Sequence, residues 1–121
     1  MTSSLTTTIL ATDHPDVLHL AVAGDLDYDS APALRTTLGA LPLGTGTGLI
    51  IDLSALTFCD SSGLSTLIAA HQLTRTTGSA LALAAVPPRL LTMFRLTGME
   101  PLLPLYPAME DARRAVQEAL S

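Results

Sequence analysis

Apolar and polar residues change rhythm along this chain, and each change marks an element. Residues 6–11 predict a first strand. Asp13-His14-Pro15-Asp16 has turn composition, because Pro presets its φ and Asp side chains bond nearby backbone. Residues 17–23 predict a second strand, with Leu18, Leu20 and Val22 alternating against smaller or polar neighbours. The two strands form a hairpin. A polar loop follows at 24–29, and Asp29 or Ser30 is placed to cap a helix over 31–38, with Pro32 in its first turn and Gly39 at its end. Gly44-Thr45-Gly46-Thr47-Gly48 links to a third strand at 49–53.

Period then switches to that of a helix over 62–76, where Leu64, Leu67, Ile68 and His71 share a face. Gly78 ends it. Residues 81–86 predict a fourth strand. Pro87-Pro88 opens a helix at 88–96, with Gly98 as its stop. A short last strand lies at 102–106. The terminal helix, 108–120, turns Met109, Ala112, Val116 and Leu120 inward and sets Glu110 and Arg114 as an i, i+4 pair. The order β-β-α-β-α-β-α-β-α predicts an α/β fold with parallel crossovers after the hairpin. No internal repeat or long linker divides the chain, so residues 1–121 are expected to form one domain, with its core at about 5–119.

If strands two and three are parallel, the loops leaving them, 24–29 and 54–62, lie on one edge of the sheet. Asp25, Asp27, Asp29, Asp60 and Ser61 then meet at the carboxyl ends of the strands, where open α/β sheets place their functional groups.

Composition narrows the chemistry. Apolar residues make up 48% and charged residues 14% of the chain, a balance that buries a core. The net charge is -5 and all six cations are Arg. Scattered arginines on an acidic chain leave no footprint for nucleic-acid phosphates or anionic membranes. The single Cys59 excludes an internal disulfide. The first residues show no basic region followed by an apolar stretch, and the longest apolar run, 80–86, is too short to span a bilayer. A soluble cytoplasmic protein is expected.

Ser61 stands at the mouth of the second predicted helix, where a hydroxyl can cap the helix, attack a substrate or accept a phosphoryl group. A hydrolase elbow needs Gly two residues either side of its serine; Gly63 is present, but position 59 is Cys. The histidines are His14 and His19, in the hairpin, and His71, near three turns down the helix. The Gly-Thr-Gly-Thr-Gly stretch leads into a strand and the chain has no Lys, so it is a pliable connection rather than a phosphate loop. Cys59 and the histidines show no paired metal-ligand spacing. Cys59 reads as a small buried filler, and His71 as a histidine at the core's edge. No metal or cofactor is expected. The aspartates either form an acid–base pair or solvate a strand end and cap the next helix. For Ser61 and Ser62 the plain alternative is a helix N-cap, worth about 1 kcal/mol.

Two segments resemble the STAS family, the anti-sigma-factor antagonists of bacteria. Val22-Ala23-Gly24-Asp25-Leu26-Asp27 is similar to the family's Gly-(Glu/Asp)-Leu-Asp loop. Residues 51–64, Ile-Asp-Leu-Ser-Ala-Leu-Thr-Phe-Cys-Asp-Ser-Ser-Gly-Leu, are similar to its strand-loop-helix with the regulatory serine. Pro87-Pro88 through Leu96-Thr97-Gly98-Met99, and a closing helix after Tyr106-Pro107, follow the same pattern. The resemblance implies a mixed sheet of four to five strands flanked by about four helices, and no catalysis by this chain.

It further implies that the unphosphorylated protein binds an anti-sigma factor that is also a serine kinase, frees the sigma factor, and is switched off by phosphorylation until a serine phosphatase resets it. Ser61 matches the phosphoacceptor, with Ser62 as runner-up. Asp60 matches the acidic residue before it, Asp25 and Asp27 the neighbouring acidic loop, and Ser62 and Gly63 the start of the helix. Together they form the expected partner-binding surface. Asp25 stands where Glu is common in the family, and Cys59 where a larger apolar residue is common. An adaptor of the same fold that is never phosphorylated, in a signalling or lipid-transport assembly, is the alternative.

Overall fold

Two strands, β1 (Thr6–Leu10) and β2 (Val17–Leu26), form the expected antiparallel hairpin, with Thr6 opposite Ala23 and Leu10 opposite His19. They belong to a computed structural model that describes residues 5–120. The expected domain limits at residues 1 and 121, and the reading of the first four residues as leaderless, lie outside the described residues. Next come α1 (Ala31–Gly39), β3 (Gly48–Asp52), β4 (Leu56–Cys59), α2 (Ser61–Thr77), β5 (Ala80–Ala84), α3 (Pro88–Leu96), β6 (Leu105–Tyr106) and α4 (Met109–Ala119). The sheet runs β1-β2-β3-β5-β6, with β3, β5 and β6 joined in parallel. β4 lies off that path, parallel to the end of β2.

Strand alternation sorts the core into two layers. Leu20, Val22, Leu49, Ile51 and Leu83 face Leu34 and Leu38 of α1, Leu64 and Leu67 of α2, and Leu90 and Phe94 of α3. Val17, Ile50, Ala82 and Ala84 face Ala112 and Val116 of α4. Gly48 lets α4 approach β3, because a Cβ there would run into Val116 Cγ1. The α/β class, the mixed sheet and the four helices agree with the sequence-based expectation.

Four details differ. β2 runs to Leu26 rather than stopping at residue 23, because β4 supplies partners for the segment expected to be loop. β4 itself lies inside the expected loop 54–62, so the described residues form a sheet of six strands rather than four or five. The strand expected at 102–106 shrinks to Leu105–Tyr106, preceded by a single 3-10 turn at Glu100–Leu102. Pro101 and Pro104, having no N–H, cannot donate to a ladder there. On α4, Glu110 pairs with Arg113, one position short of the expected Arg114.

Candidate functional site

Gly24, at φ 98°, bends the end of β2 and donates its N–H to Ala55 O at 3.0 Å. The register with β4 shifts between Gly24 and Asp25. Beyond the bulge, Asp25 lies beside Phe58 and Leu26 beside Cys59. Asp60 N–H then donates to Leu26 O at 3.2 Å. The parallel pair therefore delivers the start of α2 to the Asp27 loop, the convergence expected from the sequence.

Asp60, not a serine, is the cap of α2. Its backbone is extended (φ -98°, ψ -171°), and its Oδ1 accepts the N–H of Gly63 at 2.9 Å. A carboxylate suits this place, because it meets both an orphan N–H and the positive end of the helix dipole. This corrects the capping alternative for Ser61 and Ser62. With the cap taken, the Ser61 side chain is exposed, and its hydroxyl has no hydrogen-bond partner among the described residues. Ser62 is half-buried. The backbone N–H groups of Ser61 and Ser62 also have no acceptor among the described residues.

Gly63 is required by contact. A Cβ there would strike the Leu26 carbonyl oxygen and lie 2.8 Å from both Cys59 Sγ and Leu26 Cγ. Helix α2 is thereby seated directly on the end of β2.

The acidic loop is tied by its own side chains. Asp27 Oδ1 accepts the N–H groups of Asp29 and Ser30, each at 3.0 Å. Ser30 Oγ accepts the N–H of Asp27 at 2.9 Å and donates to Asp25 O at 2.7 Å. Ser30 occupies the cap position of α1, yet its hydroxyl is spent on this loop and makes no cap bond. Asp60 Oδ2 accepts Tyr28 N–H at 3.2 Å, joining loop to helix. Asp25 Oδ1 accepts the Thr57 hydroxyl at 2.7 Å, and Arg89 donates to Thr57 O at 2.6 Å. These carboxylates are occupied with orienting backbone and hydroxyl groups, which accounts for them without an acid–base pair.

Cys59 is buried as expected, and its thiol pKa is pushed up to about 12, first by burial and then by the neighbouring Asp60 charge. It is inert filler against Gly63 at the start of α2. His71 hydrogen-bonds Leu102 O at 3.0 Å through Nδ1, away from the acidic edge. The described residues contain no cluster of three groups suited to a metal. No helix among them is long and apolar enough to cross a membrane. Sequence reasoning missed Tyr28, Thr57, Phe58 and Arg89. For Phe58 the signal was legible: an aromatic residue immediately before the Cys59-Asp60-Ser61 run of an aromatic-poor chain.

Residues 8–112 match the STAS domain family. The chain belongs to that family. It is 33% identical over 92 residues to an anti-sigma-B factor antagonist of Listeria monocytogenes, covering 76% of this chain and 78% of that protein. It is 37% identical over 65 residues to an anti-sigma-F factor antagonist of Mycobacterium tuberculosis, covering 54% and 53%. In three dimensions it matches an anti-sigma factor antagonist from Mycobacterium paratuberculosis with a TM-score of 0.77 and 34% identity, over 94% of this chain and 95% of the other. Named relatives of this STAS domain are thus regulatory binding proteins. The segments that carried the sequence resemblance, 22–27 and 51–64, are those that build the acidic edge.

Proposed function

We propose that this STAS domain is an anti-sigma factor antagonist. Its unphosphorylated form binds a serine-kinase anti-sigma factor and so releases the sigma factor; phosphorylation of Ser61 ends binding, and a serine phosphatase restores it. The observation that carries this reading is the free, exposed Ser61 hydroxyl beside an Asp60 that already caps α2. A serine needed as a cap would have its oxygen engaged; among the described residues this one does not, because Asp60 holds the cap.

A phosphoryl group there adds about -1.5 to -2 charges. It would sit beside Asp60, and Asp60 is tied to the loop carrying Asp27 and Asp29. A partner face that receives a neutral hydroxyl then meets concentrated negative charge. Like-charge contact across a desolvated interface costs several kcal/mol, enough to end binding while the fold stays intact.

The test is calorimetry of the wild type, Ser61→Ala and Ser61→Glu against each serine-kinase anti-sigma factor encoded in the source genome. The expected result is binding by the wild type and Ser61→Ala and, with Ser61→Glu, a loss of about a hundredfold. Kinase treatment is expected to put phosphate on Ser61. Phosphate on Ser62 alone, or equal binding by Ala and Glu variants, would count against the switch and favour an adaptor that is never phosphorylated.

A further inference from the structure

The chain has two Phe, two Tyr and no Trp. Phe94 is fully buried and Tyr106 half-buried, but Tyr28 is 76% exposed and Phe58 46% exposed. Both exposed rings belong to the segments that frame Ser61. Tyr28 donates its N–H to Asp60, and Phe58 precedes the Cys59-Asp60 pair while lying in register with Asp25. Exposed rings add nothing to the core, and aromatic side chains are enriched where proteins bind one another.

Neither ring is free to fold inward. The inward positions of the same segments are already taken by Leu26, Leu56 and Cys59, which are almost wholly buried. The backbone at Phe58 is fixed by pairing with Asp25, and the adjacent Thr57 is held from both sides by Asp25 and Arg89. The rings are therefore presented by rigid backbone, with little ordering entropy left to lose on contact.

Charge says what they face. Asp27, Asp29 and Asp60 form no ion pair among the described residues; the ion pairs present are His19–Asp52, Arg95–Glu100 and Arg113–Glu110. Arg89 hydrogen-bonds a carbonyl here. Three carboxylates without cations, interleaved with two rings, complement a cationic surface. Arginine in particular can lie against a ring and pair with a carboxylate at once.

We infer that Tyr28 and Phe58 are the anchors of the partner interface, and that their occupant is a protein surface with arginine or lysine side chains around an apolar cleft. The inference rests on the anti-sigma factor antagonist reading and names the contact chemistry of that site. Interface energy concentrates in a few such rings, with surrounding polar groups setting orientation and rate.

The experiment is calorimetry of Tyr28→Ala, Phe58→Ala and Tyr28→Phe against the serine-kinase anti-sigma factor that the wild type binds, at low and high NaCl. Each Ala variant is expected to bind about tenfold more weakly or worse, while Tyr28→Phe keeps most of the affinity. Raising salt from about 50 to about 500 mM is expected to weaken the wild type and the Ala variants by a similar factor, because the carboxylates remain. Tyr28 projects from a loop, so its Ala variant carries the test even if Phe58→Ala melts early. Wild-type affinity in Tyr28→Ala, or in any folded Ala variant, would overturn that ring as an anchor and leave the reading beneath it standing. Affinity indifferent to salt would overturn the cationic occupant. A wild type that binds no anti-sigma factor would overturn this inference together with the reading beneath it.

Discussion

The carboxylate of Asp60 is shared between two backbone donors from distant parts of the chain. Oδ1 accepts Gly63 N–H at 2.9 Å and Oδ2 accepts Tyr28 N–H at 3.2 Å, across 32 residues of sequence. One side chain thus starts helix α2 and anchors the acidic loop. The serine that follows is spared both tasks.

That sharing predicts different outcomes for two substitutions. Asp60→Asn keeps one oxygen for Gly63 but offers an NH2 group to Tyr28, which cannot accept an N–H. Asp60→Ala loses both bonds. The Ala variant is expected to lose about 1–2 kcal/mol of unfolding free energy in urea, and the Asn variant less. Amide exchange at Tyr28 is expected to speed up in both. Equal stability of the two variants, with Tyr28 still protected, would show that the shared carboxylate does not hold the loop.

Gly63 sets the closeness of α2 and β2. Gly63→Ala places a methyl group against the Leu26 carbonyl and within 2.8 Å of Cys59 Sγ. The backbone oxygen has nowhere to go, so α2 must shift outward. A loss of about 1–3 kcal/mol is expected in urea denaturation. Because the shift displaces Ser61, the proposed phosphorylation by a serine-kinase anti-sigma factor is also expected to slow. A variant as stable as the wild type would mean that the helix rises without resistance.

Much of this was legible in the sequence, and what was missed has a physical reason. The hairpin, three of the parallel strands and four helices follow from period and punctuation, because their apolar positions face continuous core. β4 is different: Leu56 and Cys59 are buried while Thr57 and Phe58 are both exposed, so the alternation of a strand is absent and the i, i+3 spacing imitates a helix turn. Gly24 and Asp25 have turn composition, yet β2 passes through them because the parallel β4 takes up their backbone. Asp60 as cap was open to sequence reasoning, since Asp caps as well as Ser; the choice of Asp over Ser needed the extended backbone at residue 60. The exposure of Tyr28 and Phe58 depends on which neighbours fill the space below them, which no pattern in the chain states.

Cys59 predicts an alkaline limb in stability. Its folded-state pKa is raised to about 12 from the ordinary 9.0, so the folded protein holds the proton longer than the unfolded chain does. The unfolded state then binds fewer protons between those values, and stability falls as pH rises. The contribution is whole below about pH 9 and is lost progressively toward 12. Cys59→Ala is expected to flatten urea midpoints measured between about pH 8.5 and 10.5 relative to the wild type. Native wild-type thiol is expected to resist alkylation at pH 8 and to react once unfolded. Fast alkylation of the folded protein would overturn the inert-filler role.

Phosphate on Ser61 is expected to change binding while leaving the fold unchanged. The Ser61 hydroxyl holds nothing together among the described residues, so its modification breaks no internal bond. The N–H groups of Ser61 and Ser62 are without described acceptors at the positive end of α2, and they offset repulsion from Asp60. The thermal midpoint of the phosphorylated protein is therefore expected to stay within about 5 °C of the unmodified one, a change of roughly 1 kcal/mol or less. Affinity for the anti-sigma factor is expected to drop at the same time. Melting scans and titrations on one phosphorylated sample separate the two effects. A large loss of midpoint would mean that phosphorylation acts by unfolding the edge, and the electrostatic account of the switch would fail.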